Sequence, residues 1–239
     1  MENLYISNIL LYNCDMNQFK AAWSFAFANW KFFLILGLPI IAMETILGYL
    51  VSPLNEMTQP EDFFEFFESN SLMIGLVGLI GLVVQISFLG GIWIAYMSID
   101  AGKSINPISA LQAGLSKFFP LFGAYILVTI VTAFGYLLLI LPGIYLSARF
   151  GLFAAQIMYE DSKISESISS SWEKTDEHGS KLFMFTLIFM SLILISALVL
   201  GSIIPAGIAQ IFILSITEYI FIIPLGYIFF TLYKSLKTL

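Results

Sequence analysis

The sequence predicts an all-α polytopic membrane protein. Six transmembrane helices form three hairpins, each preceded by a cytoplasmic amphipathic segment. Three observations carry this expectation. Hydrophobic residues make up 59% of the 239-residue chain and charged residues only 11%, against about 25% charged in an average soluble domain. One globular core of this length cannot hide that much apolar surface, so part of it must face lipid. Six stretches reach the roughly 20 mainly apolar residues that a spanning helix needs. With six spans, Lys20, Lys31, Lys103, Lys117, Lys163, Lys174, Lys181, Lys234 and Lys237 all fall on one side.

Residues 1–29 read as an uncleaved cytoplasmic arm ending in an amphipathic helix. Leu4–Tyr12 is fairly apolar but short, and no Lys or Arg precedes it as a signal peptide requires. Tyr12 and Asn13 stand where a lipid-attachment site at Cys14 would need small residues. The spans are then Trp30–Val51, Leu72–Met97, Phe118–Leu141, Pro142–Tyr159, Leu182–Ile204 and Ala206–Tyr233. The third and fourth form one apolar run, divided at Leu141-Pro142-Gly143 because proline cannot donate a helix hydrogen bond and glycine permits a sharp turn. Pro205-Ala206-Gly207 divides the last two in the same way.

The loop 52–71 carries Glu56, Glu61, Asp62, Glu65 and Glu68 and no basic residue. The positive-inside rule therefore places it outside and both termini in the cytoplasm. Within it, Pro60-Glu61-Asp62 can start a short helix, expected to lie at the outer interface on Phe63, Phe64 and Phe67. The Ser-rich segment 160–181 is expected on the cytoplasmic side. Lys31-Phe32-Phe33, Lys117-Phe118-Phe119 and Lys181-Leu182-Phe183 each open an odd-numbered span. Each follows a small-residue segment, which reads as a threefold repeat.

Charges inside spans are costly and mark functional sites by default. Three lie away from span ends: Glu44, Arg149 (the chain's one arginine) and Glu218. Counting inward from the outer ends puts Glu44 and Arg149 about 10 Å deep, with Glu218 roughly 6–8 Å further in. Arg149 is thus expected to pair with Glu44, whose depth it matches, or with Glu218. Gly143, Ser147, Gly151 and Ala155 form a small-xxx-small ridge for close helix packing. Tyr145, Arg149, Phe153 and Gln156 occupy the opposite face, so this helix should be wedged between neighbours.

Catalytic and cofactor signatures are missing from the sequence. One Cys14 and one His178 give neither a disulfide nor a zinc spacing, and Glu173, Glu177 and His178 read as a solvated face rather than a metal site. Asp100-Ala101-Gly102-Lys103-Ser104 lacks the upstream glycine and the strand of a phosphate loop. No basic patch suits nucleic acid, so the expected partners are the bilayer and an unspecified membrane protein or lipid.

The Pro142-Gly143-Ile144 turn, the Glu160-Asp161 exit and the Ser-rich run to Trp172 resemble the YciC-like family. Gly90-Gly91-Ile92, Ala101-Gly102 and Ser109-Ala110 extend the resemblance, which covers the chain from about Phe19 onward. A looser similarity reaches the membrane domain of some glycerophosphodiester phosphodiesterases. The resemblance implies a bacterial inner-membrane protein with several spans and no established activity. The leading expectation is a non-enzymatic scaffold or accessory component in envelope maintenance, acting through its amphipathic segments. The rival is a small transporter of an ion, anionic solute or lipid, using Arg149 with Glu44 or Glu218.

Overall fold

The computed structural model describes residues 16–237, and every regular element among them is a helix. The first fifteen residues of the predicted arm, Cys14 included, lie outside the described residues. Helix α1 (16–28) leads into α2 (Trp30–Val51) and α3 (Pro60–Asp100). Helix α4 (Pro107–Ser116) leads into α5 (Phe118–Leu138), which returns through α6 (Ile140–Arg149) and α7 (Phe153–Glu160). Helix α8 (Ile164–Lys174) leads into α9 (Gly179–Ile203) and α10 (Ile208–Lys237). With α6 and α7 taken together, six helices among the described residues are long and apolar enough to cross a bilayer. The chain is an all-α, multi-pass membrane protein.

Three boundaries differ from the sequence expectation. The outer-loop helix and the second span are one continuous α3 of 41 residues. Pro60 sits in its first turn with Glu61 and Asp62, and no proline or paired glycine interrupts Phe63–Met73. At 1.5 Å per residue α3 is about 61 Å long, twice the hydrocarbon thickness, so it does not end at the membrane surface. The turn after α5 falls at Leu139, which is extended (φ −164°), rather than at Leu141-Pro142. Pro142 is then in the first turn of α6, where its missing N–H is no loss. The fourth span is not one helix either, because it breaks at Phe150–Leu152 between α6 and α7. The division at Pro205-Ala206-Gly207 is present, with Gly207 at φ +148°.

Helix ends follow local chemistry. Helix α3 stops where Gly102 adopts φ +68°, a conformation that a side chain would oppose. The Lys103 amide then donates to Ser98 O (2.8 Å) and the Gly102 amide to Ile99 O (3.0 Å), a Schellman stop. The Asn106 carboxamide oxygen accepts from the Ile108 amide at 2.9 Å and starts α4. Asp161 turns the chain after α7 at φ +53°, with the Ser162 amide donating to Gln156 O.

Lipid is as apolar as leucine, so helices in a membrane associate by close packing and polar contacts rather than by burial from water. Helices α3 and α4 show the closest approach. A Cβ on Gly90 would lie 2.6 Å from Gly114 Cα, and one on Gly91 2.8 Å from Ala110 O. Deeper in the same end, Trp93, Tyr96, Tyr227, Phe230 and Tyr233 pack edge-on or tilted against one another. The Tyr96 hydroxyl donates to Ile223 O at 2.7 Å. Between 11 and 28% of the most apolar window is buried in five of the spans, but 61% in Ile140–Glu160. The broken helix is therefore the element that the others surround, as its two-faced sequence predicts.

Gly114→Ala tests the α3–α4 seam. A Cβ there would overlap the Ser87 carbonyl oxygen, which is backbone and cannot rotate away. The variant should lose about 1–3 kcal/mol or more, read as a lowered melting temperature in detergent. Gly78→Ala, with nothing within 4 Å, should be neutral or gain up to about 1 kcal/mol.

Candidate functional site

The α6–α7 break strands backbone groups inside the bundle, and α8 satisfies them. Ser167, Ser171 and Thr175 are fully buried and recur every fourth residue, which puts three hydroxyls on one face of an otherwise charged segment. Ser171 Oγ donates to Arg149 O (2.9 Å) and accepts from the Leu152 amide (3.1 Å). Thr175 Oγ1 lies 3.0 Å from the same Arg149 carbonyl. One serine thus bridges both sides of the break, as irregular backbone at membrane depth requires.

The Arg149 side chain is held by the same segment. Its Nη2 donates to Asp176 Oδ1 (2.8 Å) and to Trp172 O (2.7 Å). Nη1 donates to the Tyr145 hydroxyl (2.9 Å) and Nε to Thr175 Oγ1 (3.1 Å). The guanidinium lies 4.2 Å from the Trp172 ring centroid. Gly179 admits it, since a Cβ there would sit 3.3 Å from both Cδ and Nη1. Arg149 therefore pairs with neither Glu44 nor Glu218, contrary to the sequence expectation. The depth count took Pro142–Tyr159 as unbroken and left 160–181 in water. The break ends α6 at Arg149, and α8 returns against α5 and α7 with acceptors already in reach.

Gln156 lies one turn beyond the break and is fully buried. Its Oε1 accepts from Lys174 Nζ at 3.0 Å, while Nε2 has no partner among the described residues. Lys174 also pairs with Glu160 (3.1 Å), which accepts from the Tyr233 hydroxyl (2.7 Å) and lies 3.7 Å from Lys237. Lys117 with Asp161, and Lys234 with Asp100, complete this lysine-rich end. Tyr145, Arg149 and Gln156 are thus united through α8, although that contact is not with the acids.

The small-residue ridge serves two neighbours instead of one seam. A Cβ on Gly143 would overlap the Tyr136 ring of α5, and Ser147 Oγ is 3.1 Å from the Tyr136 hydroxyl. Within the break, Gly151 faces Phe229 of α10, and beyond it Ala155 is fully buried. The turn at Phe150–Leu152 re-aims the ridge between these two contacts.

Glu44 of α2 and Glu218 of α10 lie on neighbouring helices, within reach of each other's field. The Tyr219 hydroxyl donates to Glu44 Oε1 at 2.6 Å. Ser215 lies one turn before Tyr219, and Glu218 is near enough for its charge to act on both Glu44 and Tyr219. Ser215, Glu218 and Tyr219 share one side of α10 by their three- and four-residue spacing. Gly48, one turn from Glu44, lets α10 approach, with Ile211 3.0 Å from its Cβ position. No ion pair among the described residues involves either acid. Glu218 also lines a cleft of about 180 Å³ between α9 and α10, with Ser215 and Thr217.

Tyr219 has no distinguishing mark in the sequence, the hydroxyls of α8 have none but their spacing, and Asp176 stands out there only as one member, with Glu173, Glu177 and His178, of a polar group that reads as a solvated face. The four-residue Ser/Thr interval was the available signal, because solvent would not require that spacing. No family model matches the chain, and neither a curated protein nor a solved structure does so.

Arg149→Met should cost about 3–5 kcal/mol, the cost of breaking a buried charged network. Asp176→Asn should cost only about 0–1 kcal/mol, since that carboxylate is 73% exposed. Adding Glu44→Gln to Arg149→Met should give an additive loss with no rescue, as the two share no partner. Detergent melts of the three variants measure all of these.

Proposed function

We propose that this is a non-enzymatic, multi-pass protein of the bacterial inner membrane, with both termini in the cytoplasm. Its working feature is the Glu44–Glu218 pair, which takes up a proton or a small monovalent cation. The observation that carries this reading is two carboxylates on neighbouring spans, Glu44 and Glu218, within range of each other's charge and with no ion-pair partner among the described residues. Separating two like charges from water is expensive, and a shared proton or cation removes the cost. The Tyr219 and Ser215 hydroxyls supply neutral oxygen ligands or proton donors beside it, and the cleft at Glu218 supplies an approach. An anionic solute is disfavoured at this site, because Arg149 is engaged elsewhere.

The scaffold reading rests on free amphipathic faces. Helix α4 lies backbone to backbone on α3, and α8 turns its buried hydroxyls toward the break. Ala22 of α1 packs on Phe185, Phe189 and Ile228. These faces are used within the chain, which moves weight to the membrane interior. The lysine distribution supports the orientation, and the resemblance to the YciC-like family supports the compartment.

Reconstitution in liposomes tests the proposal. An entrapped pH dye, or Na⁺ and K⁺ gradients, should report flux above that of protein-free liposomes. Glu44→Gln and Glu218→Gln should each reduce it by about tenfold or more, equivalent to about 1.4 kcal/mol at the site. Wild-type protein that conducts none of these ions faster than empty liposomes would refute it.

A further inference from the structure

A second cavity, on the outer flank of the bundle, stands apart from the acid pair in all but one residue. It is a slot of about 520 Å³ between α1, α2 and α10, walled by Trp23, Phe27, Leu34, Ile41, Ile220 and Ile223. Tyr219 also lines it, with its hydroxyl already committed to Glu44. From Leu34 to Ile41 the slot follows two turns of α2, about 10 Å along the helix. Its rim residues Trp30, Leu34 and Ile220 are exposed on spanning helices, and Phe27 is exposed on α1 beside them. The slot is therefore continuous with the bilayer.

Shape and chemistry restrict the occupant. The apolar walls offer water no partners. A helix from a second copy is too thick, since two turns of a cylinder about 10 Å across displace about 850 Å³. An extended hydrocarbon chain fits. The mouth also has a sign. Residues 16–43 contain Lys20 and Lys31 and no acidic residue. Lys20, Trp23 and Phe27 lie on one stripe of α1 by their three- and seven-residue spacing, and Lys31 Nζ sits 5.8 Å from the Trp30 ring centroid. Indole and lysine together at a helix end mark the headgroup level. Lysines there favour anionic lipid.

We propose that this slot is a specific lipid site: one acyl chain of an anionic phospholipid lies between α1, α2 and α10, with its phosphate on Lys20 and Lys31. The bound chain packs α1 against the spans and covers the side of Tyr219 that Glu44 leaves open.

Native mass spectrometry of the full chain, released from detergent, tests this independently of any ion flux. The chain should carry one phospholipid, and an equimolar phosphatidylglycerol–phosphatidylethanolamine mixture should give about a tenfold preference for the anionic lipid. Ala26→Trp, which fills the slot from α1, should lose the adduct while remaining monodisperse and melting near the wild type. Leu34→Trp fills it from α2 should the first variant fail to fold. Lys20→Glu with Lys31→Glu should keep the fold and abolish the preference. A wild-type chain with no retained lipid, equal retention in a folded slot-filled variant, or a dimer mass in place of the lipid mass would each overturn the proposal.

Discussion

A helix cut inside an apolar bundle has to find hydrogen-bond partners that water would otherwise supply, and here a serine and a threonine supply them. The Arg149 carbonyl, the Leu152 amide and two of the three guanidinium nitrogens are satisfied from Ser171–Asp176, and Tyr145 takes the third. Everything near the break depends on that arrangement. It fixes how far α8 folds back beneath α7, and it brings Gly179 against Arg149, which sets where α9 begins. It also turns Gly151 to Phe229, so that α10 closes on the central helix. Without it, irregular backbone would stand unpaired in the most buried span, at a cost of several kcal/mol per group.

The two kinds of charge in this chain do different work. Arg149 is almost fully buried, is hydrogen-bonded through all three nitrogens and stacks on Trp172. That environment suits a guanidinium that joins elements and does not move. The lysine pairs at the same end are part-exposed, most contribute little singly, and each links a different pair of helices. Glu44 and Glu218 lie apart from all of these, joined only to hydroxyls and to each other's field. The chain thus holds a paired network at one end and, apart from it, two acids with no ion-pair partner among the described residues.

Much of the fold was legible because it depends on composition and punctuation. Long apolar runs mark the spans, Pro205 and Gly207 mark a turn, and the Gly143–Ala155 ridge falls on the span with the largest buried share. What escaped the sequence depends on tertiary satisfaction. Ala148–Phe153 contains a single glycine and no proline, so its break has no local cause and exists because α8 caps it. The continuity of α3 escaped for the opposite reason: its acidic first turns look like a loop by hydropathy, yet have good helix formers and a proline start. Arg149 stands out in the sequence by its charge, but its partner is Asp176 and not the acid its depth suggests. Depth along a helix locates a residue only if the helix is whole. Glu44 and Glu218 were found by rarity of charge alone, whereas Tyr219, an aromatic in an aromatic-rich chain, carried no signal.

Hydrogen exchange of the wild-type protein in lipid nanodiscs, followed by mass spectrometry, tests the central claim most directly. If the Ser-rich segment caps the break, peptides covering 149–153 and 164–176 should exchange as slowly as those from the neighbouring spans. If 164–176 is a solvated cytoplasmic linker and the break is unsatisfied, those peptides will be fully exchanged at the first time point, and the account of how this fold is held together fails.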